Sequence, residues 1–276
     1  MHQITYKNIH NRFKLNGIHI TREEMFYVAY CFIKEGRPFE QHIGTFLLDW
    51  FDEKPYIELS TSGTTGAPKV IRIDKQAMLD SALATGDFFG LEPGDTILHC
   101  LPTNYVAGKM MWVRSFILGL EMKFVEPNSN PLDKIDENFD FCAMVPLQAK
   151  NSLSKLKKKR IKKLIIGGVT IHKALEEQLA KLPIEVYETF GMSETITHIA
   201  AKKIGAEAFT VLPNVSVSTD DRDCLVIKAK NISKDPIVTN DIVKLLSDKQ
   251  FVWEGRYDNV INSGGIKLIP EQIEDK

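Results

Sequence analysis

Neither sign of charge is in excess in this chain. Across 276 residues, 35 Lys and Arg stand against 36 Asp and Glu, a formal net charge of −1. With no long-range field, binding to nucleic acid or an anionic membrane surface would have to come from a local basic patch. Cysteine is sparse. Cys31, Cys100, Cys142 and Cys224 are far apart, form no C-x-x-C pair and each lies in or beside an apolar segment. Core thiols are therefore expected rather than disulfides or metal ligands. Long apolar runs are also missing. The most apolar stretch, MMWVRSFILGL, carries Arg114 in its middle and is too short to span a bilayer. The opening residues MHQITYKNIHNRF contain no apolar core of a secretory signal. A globular chain is expected, with no membrane insertion and the reduced cytoplasm as its compartment. Its 43% hydrophobic content suffices to bury a sizeable core.

The one basic cluster is Lys155, Lys157, Lys158, Lys159, Arg160, Lys162 and Lys163, directly ahead of the apolar LIIGG. It reads as a solvated helix end leading into a buried strand, or as a landing site for a phosphorylated cofactor. No aromatic interrupts it, so stacking platforms for single-stranded nucleic acid are lacking, and no nucleic-acid partner is expected.

From about Glu58, short β-type runs (YIEL, KVIRI, DTILHCL, MKFVEP, FDFCAMV, KKLIIGG, IEVYETF) alternate with helical patterns. The latter include DKQAMLDSALATGDFF, AGKMMWVRSFILGL and HKALEEQLAKL, with apolar residues at three- and four-residue spacing. The fold class is α/β, because such alternation implies a mostly parallel sheet whose crossovers are helices. From Phe209 to Gly255 the helical periodicity fades and short strands take over, which predicts an appended β-rich subdomain. Before Trp50, one helix (Arg22 to Lys34) is expected and little else.

The strongest chemical signal is Ser60-Thr61-Ser62-Gly63-Thr64-Thr65-Gly66-Ala67-Pro68-Lys69, between YIEL and KVIRI. Two glycines permit close backbone approach to an anion, and the hydroxyls and one ammonium add donors aimed at the same place. It is not a Walker loop, since no G-K-[ST] follows Gly63 at the required offset.

This segment resembles the phosphate-binding signature of the adenylate-forming superfamily, which includes acyl- and aryl-CoA ligases. Further motifs follow in the superfamily's order: Gly167-Gly168-Val169, Phe190-Gly191-Met192-Ser193-Glu194, Thr239-Asn240-Asp241, and Gly255-Arg256-Tyr257-Asp258. The resemblance implies that Thr61, Ser62, Gly63, Thr64, Thr65, Gly66 and Lys69 cradle the phosphates of ATP. It further implies that Gly168, Val169, Phe190 and Gly191 border the adenine, with Phe190 stacked on it. Ser193 would touch the α-phosphate, Asp241 and Arg256 the ribose, and Glu194 would hold Mg²⁺. Thr64, Lys69 and Glu194 are the implied catalytic groups, and Asp258 the hinge. An aromatic face suits a base, and a carboxylate suits a hard cation.

Within the superfamily, LPTNYVAGKMMWVRSFILGLEMKFVEPNSNPL with FGMSETITHIA is most similar to the o-succinylbenzoate–CoA ligases. That similarity implies an aromatic dicarboxylic acid, ATP and CoA as small-molecule partners, with ATP, Mg²⁺ and CoA used in the reaction. Tyr105, Lys109, Gly167 and His198 are the expected acid-binding residues, Tyr105 standing where the family usually has histidine. Lys109 is placed to meet the acid's second carboxylate. Arg114 is a second candidate, but its adopted reading is a surface helix charge; His99 is read as a core residue. His198 follows Glu194 by four residues and, with no third ligand, is read as polar pocket lining rather than a metal ligand. The expected division is a large domain over 1–256, containing the β-rich subdomain at about 209–255, and over 257–276 the hinge with the first residues of a missing C-terminal domain. The chain ends two residues past Glu274, so the family's C-terminal domain and its adenylating lysine are expected to be absent. A different acid, a carrier-protein substrate, or a non-catalytic AMP-binding module remain open alternatives, as does a homodimer.

Overall fold

The computed structural model describes residues 4–61, 69–263 and 266–268, together with 270 and 273. In chain order it begins with two short strands, β1 (Lys14–Leu15) and β2 (Ile18–His19), and two helices, α1 (Arg22–Glu35) and α2 (Pro38–Phe51). A reciprocal cap starts α1: the Thr21 hydroxyl accepts from the Glu24 N–H at 3.3 Å, and the Glu24 carboxylate accepts from the Thr21 N–H at 2.7 Å. The second helix departs from the sequence expectation of a single helix here. Pro38 in its first turn and the buried Ile43, Phe46, Leu47 and Trp50, at helical spacing, account for it.

Next come β3 (Tyr56–Thr61) and β4 (Lys69–Asp74), then α3 (Lys75–Phe89), β5 (Thr96–His99), α4 (Val106–Leu118), β6 (Glu121–Phe124) and β7 (Phe139–Met144). The short helices α5 (Pro146–Asn151) and α6 (Leu153–Leu156) lead to β8 (Ile161–Ile166), α7 (Lys173–Leu179) and β9 (Glu185–Gly191). The remainder is strands: β10 (His198–Lys203), β11 (Phe209–Val211), β12 (Ser216–Thr219), β13 (Cys224–Lys228), β14 (Ile237–Ser247), β15 (Gln250–Arg256), β16 (Ile261–Ser263) and β17 (Ile266–Leu268).

Among the described residues, thirteen strands form one sheet in the order β12-β13-β14-β15-β11-β10-β9-β8-β7-β5-β6-β1-β2. Its middle, from β9 through β8, β7, β5 and β6 to β1, is parallel. From β9 to β12 every pairing is antiparallel. The β-rich segment is thus continuous with the parallel sheet through the β9–β10 pairing. YIEL and KVIRI are strands, but they pair with each other as an antiparallel β3–β4 hairpin.

The period-two rule divides the core. On β7 and β8, Phe141, Ala143 and Ile165 face the cluster built from α1 to α4. Their neighbours Cys142, Met144, Leu164 and Ile166 face the cluster under α5 to α7. A third cluster, with Phe209, Leu225 and Phe251, fills the β-rich end. Cys100, Cys142 and Cys224 are buried thiols, and no cysteine is in a disulfide. Among the described residues, no helix is long and apolar enough to cross a membrane.

Candidate functional site

In open α/β sheets, ligands bind beyond the carboxyl ends of the parallel strands, where side chains from successive crossovers converge. Leu101 beyond β5, Val145 beyond β7, Gly167 beyond β8 and Gly191 at the end of β9 line one cavity of about 250 Å³. A larger cavity of about 650 Å³ lies beside it, reaching to Phe209, Asp241, Trp253 and Arg256 of the β-rich end. Gly168, Thr189 and Gly191 line both.

Backbone space decides two of these positions. A Cβ on Gly167 would stand 2.4 Å from the Thr189 hydroxyl, and one on Gly191 would stand 2.4 Å from the Thr197 carbonyl oxygen. Only glycine allows the two strand ends to lie so close.

The smaller cavity is mostly apolar but contains an unusual charge. Arg114, on α4, is only 2% exposed. Its Nη2 donates to Thr197 Oγ1 at 3.0 Å; among the described residues its Nη1 reaches only the Met111 sulfur at 3.6 Å, and its Nε has no partner. Burial pulls its pKa down to about 10, so it remains a cation at neutral pH. His198 lies next to it, 7% exposed, with Nδ1 3.3 Å from Thr197 Oγ1 and Nε2 3.4 Å from Thr85 Oγ1. Burial, with the nearby Arg114 charge, pushes the His198 pKa far below its ordinary value, and the ring is neutral.

Arg114 is the functional candidate that sequence reasoning placed on a surface. A signal was available: α4 buries residues on every side, from Gly108 and Met110 to Phe116 and Ile117. A helix apolar all round is an interior helix, and a charge within it is interior too. Lys109, the favoured acid-binding cation, is not among the cavity's lining residues. Its ammonium donates to the Thr103 carbonyl at 2.7 Å and stands 5.2 Å from the Phe46 ring centre, on the α2 side of α4. Burial lowers its pKa to about 8. Tyr105 caps α4 and is 64% exposed, also outside the lining. His99 is buried as expected, bonded to Thr103 Oγ1 at 3.0 Å, with its pKa lowered by burial to about 3.

The larger cavity gathers Gly168, Val169, Phe190, Gly191, Asp241 and Arg256. Phe190 presents one side to it while packing edge-on against Phe251, 5.3 Å between ring centres. Asp241, 5% exposed, accepts from Trp253 Nε1 at 3.0 Å and stands 3.6 Å from Arg256 Nη1. Arg256 also pairs with Asp258 at 3.1 Å, and Asn240 Nδ2 donates to the same carboxylate at 3.1 Å. The arrangement suits a nucleoside: an aromatic side, a buried carboxylate for hydroxyl donors, and a guanidinium at the rim.

Ser193 lines the smaller cavity, on the 3-10 turn Ser193–Thr195, and Glu194 is exposed on that turn. No group of three or more His, Cys, Asp or Glu side chains that could hold a metal occurs among the described residues. A Mg²⁺ ion at Glu194 would therefore complete its shell with phosphate oxygens and water, its ordinary habit in nucleotide sites. Ser62, Gly63, Thr64, Thr65 and Gly66 lie outside the described residues. Thr61 and Lys69 are described as backbone only, paired with each other at the end of the β3–β4 hairpin. The lysine run lies at the start of β8, at the opposite end of the strand from Gly167. Lys155 and Arg160 pair there with Asp136, and Lys162 with Asp140.

The family described as AMP-binding enzyme matches residues 52–228. This chain belongs to that family. A solved acyl-CoA synthetase (AMP-forming)/AMP-acid ligase II-like protein from Dyadobacter fermentans is 36% identical, with a TM-score of 0.75 over 86% of this chain and 70% of that one. The 2-succinylbenzoate–CoA ligase of Haemophilus influenzae is 26% identical, the match covering 91% of this chain and 59% of the relative. That of Escherichia coli is 25% identical over 78% of this chain and 50% of its own length. The o-succinylbenzoate CoA synthetase of Bacillus subtilis, solved with its acyl-adenylate intermediate, shares the fold at 18% identity and a TM-score of 0.68, over 79% of this chain and 52% of that one. The chain spans about half the length of the curated relatives it matches.

Proposed function

We propose that this chain carries the ATP- and acid-binding sites of an AMP-forming acid–CoA ligase, and that its acid is a dicarboxylate of the o-succinylbenzoate type. The observation that carries the reading is Arg114, a buried guanidinium with no carboxylate partner among the described residues, in a cavity that shares Gly168, Thr189 and Gly191 with the larger one. A buried cation without an anion is costly, and an anionic ligand group offsets that cost. The neutral His198 adds no competing charge. The apolar lining from Leu101, Val106 and Ile165 suits an aromatic ring. The 2-succinylbenzoate–CoA ligases among the relatives favour this acid over others.

In this reading one carboxylate of the acid is held by Arg114, and the other points through the opening at Gly168 and Gly191 toward the nucleotide. There it attacks the α-phosphorus of ATP, pyrophosphate leaves, and an acyl-AMP forms. The CoA thiol then attacks the acyl carbonyl and releases AMP. The first step brings two anions together, so the site must orient them in line and offset their repulsion. Residues 61–69 would hold the phosphates, Asp241 and Arg256 the ribose, and Phe190 the base. Mg²⁺ bound through Glu194 would screen phosphate charge.

ATP–pyrophosphate exchange across a panel of acids, on this chain and on any longer form encoded with it, tests the assignment. Exchange supported by o-succinylbenzoate and not by benzoate is the expected result. Equal exchange with monocarboxylates would remove the dicarboxylate from the reading. Binding of ATP with no acid-dependent exchange in either form would favour a nucleotide-binding module without catalysis.

A further inference from the structure

The partners of Arg114 form a chain that runs out of the cavity into the protein. Arg114 Nη2 bonds Thr197 Oγ1 at 3.0 Å, Thr197 Oγ1 lies 3.3 Å from His198 Nδ1, and His198 Nε2 lies 3.4 Å from Thr85 Oγ1. Thr85 Oγ1 in turn donates to the Ser81 carbonyl at 2.9 Å, one turn earlier on α3. Thr85, Ser81 and Arg114 are each at most 3% exposed. The chain thus ties three elements together: α4, the start of β10, and α3.

The direction of every bond follows from the ends. A guanidinium can only donate, so Thr197 Oγ1 accepts from Arg114 and its own hydrogen is free for His198 Nδ1. At the other end, the Thr85 hydrogen is committed to the Ser81 carbonyl, so Thr85 Oγ1 accepts and His198 Nε2 must carry the proton. The Thr85 end selects the neutral tautomer of His198 with hydrogen on Nε2 and a lone pair on Nδ1, and the free Thr197 hydrogen fits that lone pair. A second proton on Nδ1 would face the Thr197 oxygen that already receives Arg114, and would place two cations side by side; burial and the Arg114 charge both oppose it.

We infer that Thr85 is a positioning residue for acid recognition: through the tautomer of His198 and the hydroxyl of Thr197, it fixes Arg114 as a donor aimed at the acid cavity. Among the described protein atoms, Arg114 has only Thr197 and the Met111 sulfur as hydrogen-bond partners. Its orientation therefore depends on an oxygen whose hydrogen must point away from it. If His198 changes tautomer, Nδ1–H donates to Thr197 Oγ1, whose two lone pairs must then serve both donors. Its own hydrogen swings away from the ring, so the lone pair offered to Arg114 is redirected and that bond weakens. Thr85 acts three hydrogen bonds away from the guanidinium. This inference rests on the acid-binding reading of Arg114 given above.

The test combines side-chain NMR with binding on the full chain. In ¹⁵N-labelled protein, the His198 ring signals, assigned by their loss in His198→Gln, should show the Nε2–H tautomer, and Arg114 should give a sharp Nε–H resonance. Thr85→Val, which fills the same space without an acceptor, should introduce the Nδ1–H tautomer and broaden the Arg114 signal. It should weaken o-succinylbenzoate binding by about three- to tenfold, the range for one lost hydrogen bond. ATP affinity should not change, and Thr85→Ser should restore all three readouts. An Nδ1–H tautomer in the parent protein, or unchanged histidine and arginine signals in Thr85→Val, overturns the inference. A shifted tautomer with undiminished acid affinity overturns it as well. If the NMR signals respond as expected while the parent protein binds no o-succinylbenzoate, the relay stands and the assigned substrate falls.

Discussion

Two cations five residues apart, Lys109 and Arg114, sit on one helix in different surroundings. Both lie in an apolar run, and five residues of separation turn them to different sides of α4: Lys109 reaches Thr103 and Phe46, whereas Arg114 faces the cavity with Thr197. Arg114→Ala is accordingly expected to weaken o-succinylbenzoate binding by about 2–5 kcal/mol, the range for truncating one partner of a buried charge pair. Arg114→Lys should recover only part of that, because an ammonium lacks the planar fork. Calorimetric titration with the acid and with ATP separates the cases, and equal damage to both ligands would make Arg114 structural. Lys109 should report on stability instead. Its folded pKa, about 8, lies below the ordinary lysine value of 10.5, so the unfolded chain binds more protons between those limits. Its contribution to stability must rise as the pH climbs from about 8 toward 10.5. Urea unfolding at pH 7.5 and pH 10 checks this: the gain at high pH should be smaller in Lys109→Met than in the parent. The same gain in both would mean that Lys109 is solvated.

At the scale of elements, the strands and helices around the cavities were legible because their patterns are local. KKLIIGG and IEVYETF read as strands and became β8 and β9, and the glycine after β8 fell where a strand end meets the smaller cavity. What could not be read was sidedness: which face of α4 meets the cavity, or that β10 would pair back on β9 and carry the parallel sheet into the β-rich end. Those depend on contacts distant in sequence. The turn between these strands is also tertiary in origin. Ile196, with φ 67° and ψ −50°, closes a tight turn in which the Thr197 N–H bonds the Thr195 carbonyl at 2.7 Å. A β-branched residue there costs about 1–3 kcal/mol of strain, held in place by its own burial. The proposed hinge has one contact of the same kind: the Asn240 amide oxygen accepts from Arg222 at 3.0 Å while its Nδ2 donates to Asp258. Asn240→Gly should release that clasp, lowering the local opening free energy of residues 257–263 by about 0.5–1.5 kcal/mol, the worth of an ordinary hydrogen bond. Hydrogen exchange read by mass spectrometry should speed up there with ATP affinity unchanged. No change in exchange would leave the Asn240 contact without consequence for the hinge.

For the molecule as a whole, the continuous sheet makes a demand on how it unfolds. The larger cavity, the proposed nucleotide site, draws Gly168 and Phe190 from the ends of parallel strands and Asp241, Trp253 and Arg256 from the antiparallel end. A nucleotide seated there touches both halves of one sheet, so it should stabilise them together, in line with the proposal that 1–256 is a single unit. Binding only to the native state adds RT ln(1 + [L]/Kd), about 2.7 kcal/mol when ATP is at a hundred times its Kd. For a chain of 276 residues, each kcal/mol raises Tm by roughly 2 °C, so Mg–ATP should raise it by about 5 °C. Asp241→Asn keeps an oxygen for Trp253 Nε1–H but removes the charge that would hold the ribose hydroxyls, and the ATP-dependent rise should shrink while the ligand-free Tm stays close to the parent's. Scanning calorimetry of both proteins with and without Mg–ATP reads all of this at once. One transition that moves as a whole supports the single unit. Two transitions, with only one moved by ATP, would mean that the segment 209–255 unfolds independently despite sharing the sheet, and that the nucleotide is held from one side alone.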